Sequence, residues 1–314
     1  PLDDLCISRP KSRLPWGIPL PFDKEYVTYV WFDALVNYIS AIGYGEDHFD
    51  KNWPVDHHII GKDILVPAHA IYWPIMLKAA GLPLPKGYLV HGWWMMKGAK
   101  MSKSSGETLD PLELAQKYGA DTFRYFVMRE MTIGQDSDFS QELFSTRYTA
   151  ELANDLGNLV SRFLNMTSRY SQGNVPVSTI DEDPEKNVRE NWAATHAEYI
   201  SHFSKFGFNR GLEKLFEFIR GLNQYAGLRE PWKLAKSDDP SDAEKVSTAL
   251  AVMGEGLRLS ACLLTPVMPT ISSKILELLG SSSCDTWDDR LCWGNSLDCA
   301  VVGEKVILFP RIED

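Results

Sequence analysis

The sequence predicts a protein of two parts, an α/β part with a parallel sheet followed by an all-α helical bundle. Two patterns lead to this fold class: short apolar runs alternate with helical patterns at the start, and long amphipathic helices fill most of the remainder. A length of 314 residues, 44% of them hydrophobic, provides material for about two cores. The predicted parts are residues 1–138 and residues 139–314.

Three apolar runs predict the strands of the first part. Residues 26–32 are β-branched or aromatic nearly throughout, as in a strand buried on both faces, and the runs 58–60 and 88–90 each end beside a glycine. Helical patterns at 33–42 and 68–80 separate these runs. Strands that alternate with helices form parallel sheets, which bind ligands beyond the carboxyl ends of the strands.

The second part contains three apolar stripes at steps of three and four residues, which predict helices that pack together. Pro266 and Pro269 are expected to break the last of these helices. Residues 281–296 are expected to form a loop, and residues 300–309 a small hairpin. The stripes are Tyr148, Leu152, Leu156, Leu159, Phe163 and Met166, then Leu212, Leu215, Ile219 and Leu222, then Val246, Leu250, Met253, Leu257, Ala261 and Leu264.

Composition limits the classes of function. The net charge of −10 argues against a generally basic nucleic-acid binder, so any RNA contact would come from a local patch. The five cysteines include no Cys-x-x-Cys pair, so we predict no zinc site and no disulfide framework. No apolar run reaches the roughly 18 residues of a membrane span. We expect a protein of the cytoplasm or an organellar matrix, without a membrane partner.

The most specific motif is Lys100-Met101-Ser102-Lys103-Ser104, in a Gly/Ser-flanked turn between a strand and a helix. Two ammonium groups three residues apart on a loop can reach two phosphates and stabilise the charge that develops when pyrophosphate leaves. The alternative is a solvated basic turn. A chance match to one specified pentapeptide has odds of about one in ten thousand in a chain of this length, which favours the phosphate site.

Further candidates follow the other two predicted strands. Gly61 would let a ligand approach the backbone, and Asp63 could accept hydrogen bonds from a ribose, although the same turn could be a plain helix start. Trp31, Leu35 and Tyr38 lie on one face at steps of four and three. They could line an apolar slot, or they could be packed in the core.

The remaining candidates lie on helices. His69 could face the slot, or it could be an ordinary histidine at a helix end. Asn158 and Arg162 project from one helix face and, like Trp232, belong to the residue types that recognise unstacked bases. The alternatives are a solvated pair and an aromatic that covers the end of the bundle.

Several longer segments carry a resemblance to a known family. They are Ile7-Ser8-Arg9, Trp16-Gly17-Ile18-Pro19, Val30-Trp31-Phe32-Asp33-Ala34-Leu35, Gly61-Lys62-Asp63-Ile64, the lysine loop, Leu156-Gly157-Asn158-Leu159 and Pro231-Trp232-Lys233-Leu234. On these residues the chain resembles methionyl-tRNA synthetases of bacterial or organellar type, over nearly its whole length.

The resemblance implies a class I synthetase that activates methionine with ATP and Mg²⁺ and transfers it to tRNA(Met). Catalysis would fall to Lys100 and Lys103, within an ATP site of Gly61, Asp63, Lys100, Met101, Ser102, Lys103 and Ser104. The methionine site would comprise Arg9, Trp31, Leu35, Tyr38 and His69. The anticodon would be read by Asn158, Arg162 and Trp232.

The chain also departs from the family. The first Rossmann half with its His-Ile-Gly-His signature and the zinc-bearing insertion do not occur in these residues, and the stretch from Gly61 to His69 is one residue longer than usual. We therefore expect a segment that is inactive without an N-terminal half. Two alternatives remain: a sister class I synthetase for leucine, valine or cysteine, and a non-catalytic tRNA-binding fragment.

Overall fold

The computed structural model describes residues 7–96, 98–100, 110–281, 286–294 and 297–311, with only the backbone described at 99 and 100. The chain packs as two compact units. Unit 1 comprises Pro1–Trp93 with Ile133–Gln135, and unit 2 comprises Trp94–Thr132 with Asp136–Asp314. This packing boundary precedes the expected one at 138/139 because Tyr125, which lies between them, is fully buried in the core of the helical bundle. The predicted boundary between functional domains stays a prediction.

Unit 1 is built of short elements around a pair of parallel strands. Strands β3 and β4 run parallel, with His57 opposite Gly87 and Gly61 opposite His91. This confirms the strands predicted from the apolar runs at 58–60 and 88–90. The elements are β1 (Ser8–Pro10), β2 (Tyr26–Thr28), α1 (Val30–Ala34), α2 (Asn37–Ser40), α3 (Phe49–Asn52), β3 (His57–Gly61), a 3-10 turn (Lys62–Ile64), a π-helix (Leu65–Tyr72), α4 (Trp73–Ala79) and β4 (Gly87–His91).

The strand predicted at 26–32 is only half present. Strand β2 ends at Thr28 and pairs antiparallel with β1, and the chain becomes helical at Val30. Val30 and Phe32 are exposed, so this run is not buried on both faces. A short apolar run fits a strand or a helix equally well by periodicity, which explains the error. The helix predicted at 33–42 is likewise divided into α1 and α2.

Unit 2 begins with a small sheet and continues as helices. Strand β5 pairs antiparallel with β6 and parallel with β7. The elements are β5 (Trp94–Met96), β6 (Ala99–Lys100), α5 (Pro111–Tyr118), α6 (Ala120–Glu130), β7 (Ser137–Asp138), α7 (Gln141–Arg147), a second π-helix (Tyr148–Gly157), α8 (Asn158–Tyr170), α9 (Asp183–Phe203), α10 (Phe208–Arg229), α11 (Pro231–Leu234), α12 (Pro240–Leu264), α13 (Pro269–Leu278) and α14 (Trp287–Leu291).

The three predicted stripes form the core of unit 2. Their members from Leu212 to Leu264 are buried, as are those from Tyr148 to Met166. Helix α12 lies close to its neighbours, because a Cβ at Gly256 would be 2.6 Å from Leu222 Cδ2 and one at Gly254 would be 2.9 Å from Phe163 Cζ. A side chain at Gly256 would require Leu222 to move, and one at Gly254 would require Phe163 to move.

Helix α12 is also the one helix in the described part of the chain that is long and apolar enough to cross a membrane. Of its most apolar window, 89% is buried inside the protein. Core helices of folded proteins share this length and composition, so the helix is weak support for a membrane span.

The end of unit 2 differs from the expected hairpin. Within the described residues, Val301 forms an antiparallel bridge with Asn174, and residues 302–309 form no strand. Val301 therefore pairs with the segment after α8 and not with residues further along the tail. The predicted break at the prolines is confirmed, since α12 ends at Leu264 and α13 begins at Pro269.

Candidate functional site: an aromatic pocket and an arginine–tryptophan pair

Three residues of the predicted methionine slot, Trp31, Tyr38 and His69, lie in a cluster of rings in unit 1. Tyr38 Oη lies 2.8 Å from His69 Nε2, and the Trp31 ring meets the His69 ring edge-on at 6.1 Å between centroids. His69 and Leu35 are each 1% exposed, whereas Trp31 and Tyr38 are half-buried. We call Trp31, Tyr38, His58, His69, Trp73 and Tyr88 the aromatic pocket. Four of the five predicted methionine-site residues are thus grouped at one place.

Hydrogen bonds identify the nitrogen of the His69 ring that carries the proton in the neutral form. Its Nδ1 lies 2.8 Å from the carbonyl oxygen of Ile64, which can only accept, so Nδ1 carries the proton. In the neutral ring Nε2 then accepts from the Tyr38 hydroxyl. Tyr88 donates to the His69 carbonyl at 2.8 Å. His69 is therefore held from three sides and presents a fixed ring to the pocket.

The stretch between Gly61 and His69 forms a 3-10 turn followed by a π-helix, and it places the His69 ring among the other rings of the pocket. Val66 has extended backbone angles, φ −115° and ψ 128°, inside the segment that is otherwise wound as a π-helix. Segments of π-helix often occur at functional sites, and this one carries His69. His69 and Trp73, four residues apart, both remain in the pocket.

His58 lies at the base of the pocket and was not a predicted site residue. The Trp73 indole donates to His58 Nε2 at 3.0 Å, and the Tyr38 ring lies 4.2 Å away between centroids. Burial, and secondarily the nearby His69, lower the pKa of His58 to about 4. The alternation within β3 could have indicated it, because His58 and Ile60 share the buried face.

We expect His58 to stay neutral until the pH falls to about 4. Because the unfolded chain binds this proton near pH 6.5, the stability of unit 1 should fall as the pH drops from 6.5 to about 4, and not further. An NMR titration of the histidine ring signals measures the pKa of His58. The His58 signal is assigned by its loss in His58→Asn. Titration of His58 near 6.5 would show that its ring does not accept the Trp73 hydrogen bond.

The turn after β3 carries the predicted ribose contacts. A Cβ at Gly61 would be 2.7 Å from Asp63 Oδ1, so the carboxylate lies directly over the glycine backbone. Asp63 is exposed. His91, which ends the parallel strand β4 opposite Gly61, was not a predicted site residue, and its Cε1 is 3.6 Å from the same Cβ position. These groups share the carboxyl edge of the parallel pair, where nucleotides bind.

The other predicted residues of the catalytic machinery are described less fully. Met101, Ser102, Lys103 and Ser104 lie outside the described residues, and Lys100 is described by its backbone alone, as the last residue of β6. Arg9 is exposed on β1, with its guanidinium 4.7 Å from the centre of the Tyr29 ring. Its expected place near the substrate's carboxylate stays a prediction.

In unit 2 the structure brings together two of the three predicted base-reading residues. The guanidinium of Arg162 lies over the Trp232 ring, 5.0 Å from its centre, although 70 residues separate them in the chain. Asn158 is exposed one helical turn before Arg162 on α8. A guanidinium on an indole face is a flat, polar-edged platform on which bases can stack and form hydrogen bonds.

Asn223, on α10, holds Arg162 from the other side and was not a predicted site residue. Its Oδ1 accepts from Arg162 at 3.5 Å, and its Nδ2 donates to the Asp155 carbonyl at 3.0 Å. Burial raises the pKa of Asp155, although Arg220 hydrogen-bonds to its carboxylate. No pattern in the sequence pairs α8 with the end of α10, so only the packing reveals this contact.

No metal centre accompanies these groups in the described ranges. Among those residues, no three histidine, cysteine, aspartate or glutamate side chains are arranged to hold an ion.

Two family profiles together match most of the chain. The profile described as "tRNA synthetases class I (M)" matches residues 1–164, and the profile described as "Anticodon binding domain of methionyl tRNA ligase" matches residues 175–312. The aromatic pocket and the turn after β3 lie in the first match. Asn158 and Arg162 lie near the end of the first match, and Trp232 lies in the second.

Curated relatives carry the same name. The chain is 41% identical to the methionine–tRNA ligase of Streptomyces coelicolor, over all of this chain and 59% of that protein. It is also 41% identical to the methionine–tRNA ligase of Caldanaerobacter subterraneus, over 99% of this chain and 49% of that protein. The chain thus spans about half to three-fifths of the length of these relatives.

Solved structures agree in fold. The Mycobacterium tuberculosis methionyl-tRNA synthetase bound by methionyl-adenylate superposes with a TM-score of 0.90 at 36% identity, covering 98% of this chain and 61% of that one. A second structure of that enzyme in complex with methionyl-adenylate gives 0.91 at 37% identity, over 99% of this chain and 61% of that one. These matches confirm the predicted fold class, a Rossmann-type part followed by a helical bundle.

Proposed function

The chain belongs to the methionyl-tRNA synthetase family of class I, and we propose that it supplies the second half of the catalytic site and the anticodon-binding bundle of a methionine–tRNA ligase. The reaction joins the methionine carboxylate to the α-phosphate of ATP, releases pyrophosphate, and then transfers methionine to tRNA. Mg²⁺ would arrive with ATP, as substrate.

The observation that carries this proposal is the hydrogen bond from His69 Nδ1 to the carbonyl of Ile64. Ile64 directly follows Asp63, so the side chain that closes the aromatic pocket is tied to the turn that we propose binds the ribose. A synthetase needs this adjacency, because the amino acid and the nucleotide react with each other. A thioether side chain also packs well against aromatic edges such as Trp31 and Tyr38.

The lysine loop would supply the charge for the first step. Lys100 and Lys103 would neutralise the phosphates as pyrophosphate leaves, with Met101, Ser102 and Ser104 forming the rest of the loop around ATP. Gly61 and Asp63 would bind the ribose. Arg9 would hold the carboxylate and amino group of methionine.

Recognition of tRNA would fall to the bundle. Asn158, Arg162 and Trp232 would read unpaired bases of the anticodon, with Arg162 stacked on Trp232 and offering its donors to a base edge. This needs few positive charges, which accords with a chain whose net charge is −10.

Activation would also need a polypeptide that carries the N-terminal half of the family's catalytic domain. The relatives are longer than this chain by two-fifths to about half of their own length. Unit 1 presents large apolar side chains that such a partner could cover, including Trp16 at 80% and Phe22 at 82% exposure. We propose the cytoplasm or an organellar matrix as the location and no membrane partner.

Amino-acid-dependent exchange of pyrophosphate into ATP tests the proposal. The assay needs a polypeptide that joins this chain to the N-terminal segment of one of the relatives. We expect exchange with methionine and not with leucine, valine or cysteine. Exchange driven by one of those three would favour a sister synthetase instead, which the shared name of the relatives argues against.

Tyr38→Phe in that polypeptide should raise the KM for methionine about tenfold and change kcat less. The substitution removes the hydroxyl that satisfies buried His69 Nε2 at 2.8 Å and leaves the ring in place. Tyr44→Phe is the matched control, because Tyr44 is exposed and its ring meets the ring of Phe49 edge-on. An unchanged KM in Tyr38→Phe would remove Tyr38 from the methionine site.

A further inference from the structure

The position of Trp232 depends on an unusual turn. Helix α10 ends at Arg229, and Glu230 then adopts a left-handed conformation, φ 43° and ψ 50°, before the four-residue helix α11 begins at Pro231. A non-glycine residue in this region is strained and persists only when its surroundings hold it there. So short a helix cannot fix its own direction. Contacts outside the turn must therefore fix the position of Trp232.

Trp232 and Leu234 pack against the core of unit 2, and a second anchor is a buried carboxylate on α9. Glu185 has no exposed surface, and its Oε1 accepts from the Tyr225 hydroxyl at 2.6 Å and from Arg229 Nε at 2.8 Å. Its Oε2 accepts from Arg229 Nη2 and from the backbone N–H of Glu182. Arg229 therefore grips Glu185 through two donors, the geometry in which guanidinium–carboxylate pairs are strongest and most directional.

Hydrogen bonds keep the Glu185 carboxylate ionised in spite of its burial. Burial alone would raise the pKa of Glu185, but the hydrogen bonds from Arg229 and Tyr225 outweigh it, so that the pKa is lowered. Arg229 also donates to Glu182 Oε2 at 2.9 Å. The residue that immediately precedes the left-handed turn is thus tied to the first turn of α9 by three hydrogen bonds.

The C-terminal end of α10 is connected in two ways to Arg162 and Trp232, the pair proposed to read bases. Asn223 contacts Arg162 from the last two turns of α10, and Trp232 lies beneath the guanidinium of Arg162 after the turn. A buried ion pair is a poor source of stability compared with apolar packing but a good means of fixing one geometry. Here the geometry that it fixes is the position of the chain end that bears Trp232.

We propose that Glu185 and Arg229 are positioning residues for anticodon recognition: they hold the end of α10 so that Trp232 lies under Arg162. This inference rests on the proposed function of the bundle. Neither residue would touch RNA. Both act through the direction of the turn at Glu230.

The test uses the 314-residue chain with Arg229→Met, which keeps the apolar stem, and Arg229→Lys, which keeps the charge. Arg189→Met is the matched control. Arg189 pairs with Asp181 near the same end of α9 and does not contact the turn. The chain is labelled with 5-fluorotryptophan, and the fluorine signal of Trp232 is assigned with Trp232→Phe.

Without RNA, Arg229→Met should shift or split the Trp232 signal, Arg229→Lys should move it less, and Arg189→Met should leave it in place. Thermal unfolding of each variant shows whether the bundle remains folded. A Trp232 signal that stays in place in folded Arg229→Met would overturn the proposal.

With RNA, the probes are two hairpins with loops of about seven nucleotides that carry CAU or GAU, since CAU pairs with the methionine codon. Arg229→Met should reduce the preference for CAU about tenfold and leave binding to the GAU hairpin unchanged. Combined with Trp232→Ala, it should reduce the preference no further than Trp232→Ala alone, because both act through one side chain. Losses that add would show that Arg229 does not work through Trp232.

The RNA-binding experiment tests the proposed base reading, and the fluorine experiment tests the proposed positioning of Trp232. A wild-type chain that binds both hairpins equally contradicts the proposed base reading, whereas the fluorine signal judges the positioning by Glu185 and Arg229 independently.

Discussion

Replacing Arg258 by alanine is expected to lower the free energy of unfolding of unit 2 by about 3–5 kcal/mol. Arg258 is 1% exposed in the middle of the core helix α12, where it donates to both oxygens of Glu255 at 2.7 and 2.9 Å. Without it, the Glu255 carboxylate would remain buried with no opposite charge, and this is the costliest consequence of the substitution.

Arg258 also holds the end of α14 and the segment that follows it. Its guanidinium donates to the carbonyls of Arg290 and Cys292 at 2.6 and 2.8 Å, and Glu255 accepts from the backbone N–H of Gly294 at 2.7 Å. One ion pair therefore satisfies three backbone groups of a segment with little regular structure. Its loss should free this segment as well as weaken the helix packing.

Urea titration followed by far-ultraviolet circular dichroism measures the change. Lys274→Ala is the control, because the exposed pair Lys274–Glu277 should contribute less than about 1 kcal/mol. Removing both charges, in Glu255→Met with Arg258→Met, should recover part of the loss, since no charge then remains buried. A loss below about 1 kcal/mol in Arg258→Ala would mean that water reaches the pair.

Lys103→Ala should raise the barrier to methionine activation by about 3 kcal/mol or more, which is a rate loss of more than about a hundredfold. The reason is that the ammonium acts on charge that appears only as pyrophosphate leaves. Methionine affinity should change little, since the proposed side-chain slot, at Trp31, Tyr38 and His69, does not use the loop.

Single-turnover formation of the adenylate, in the polypeptide completed with a relative's N-terminal segment, separates the rate from the affinity. Lys117→Ala is a control, because Lys117 lies on α5 over the ring of its neighbour Tyr118. Unchanged adenylate formation in Lys103→Ala would refute the catalytic role of the loop.

Much of the fold could be predicted, because apolar periodicity reports burial. The stripes from Tyr148 to Leu264 were found in the core, and the runs at 58–60 and 88–90 were found as parallel strands. The prediction of a strand at 26–32 was wrong because an unbroken aromatic run has no period that distinguishes strand from helix. The tail at 300–309 failed because pairing with Asn174 depends on where α8 ends in space.

The grouping of the candidate site residues could be predicted where local spacing places them on a shared face. Trp31, Leu35 and Tyr38 lie together at helical steps, and Asn158 and Arg162 are one turn apart. Contacts between distant segments could not be found in this way. The stacking of Arg162 on Trp232 and the anchoring of Arg229 by Glu185 each join helices that only tertiary packing brings together.

The most direct test of the account is the binding of this 314-residue chain to two full tRNA transcripts at one near-physiological salt concentration. One transcript accepts methionine and carries CAU, and the other differs only by GAU in the anticodon. We expect tighter binding to the CAU transcript by about tenfold or more, and loss of this preference in Trp232→Ala. Equal binding of the two transcripts by the folded wild-type chain would contradict the assignment of Asn158, Arg162 and Trp232 to anticodon recognition.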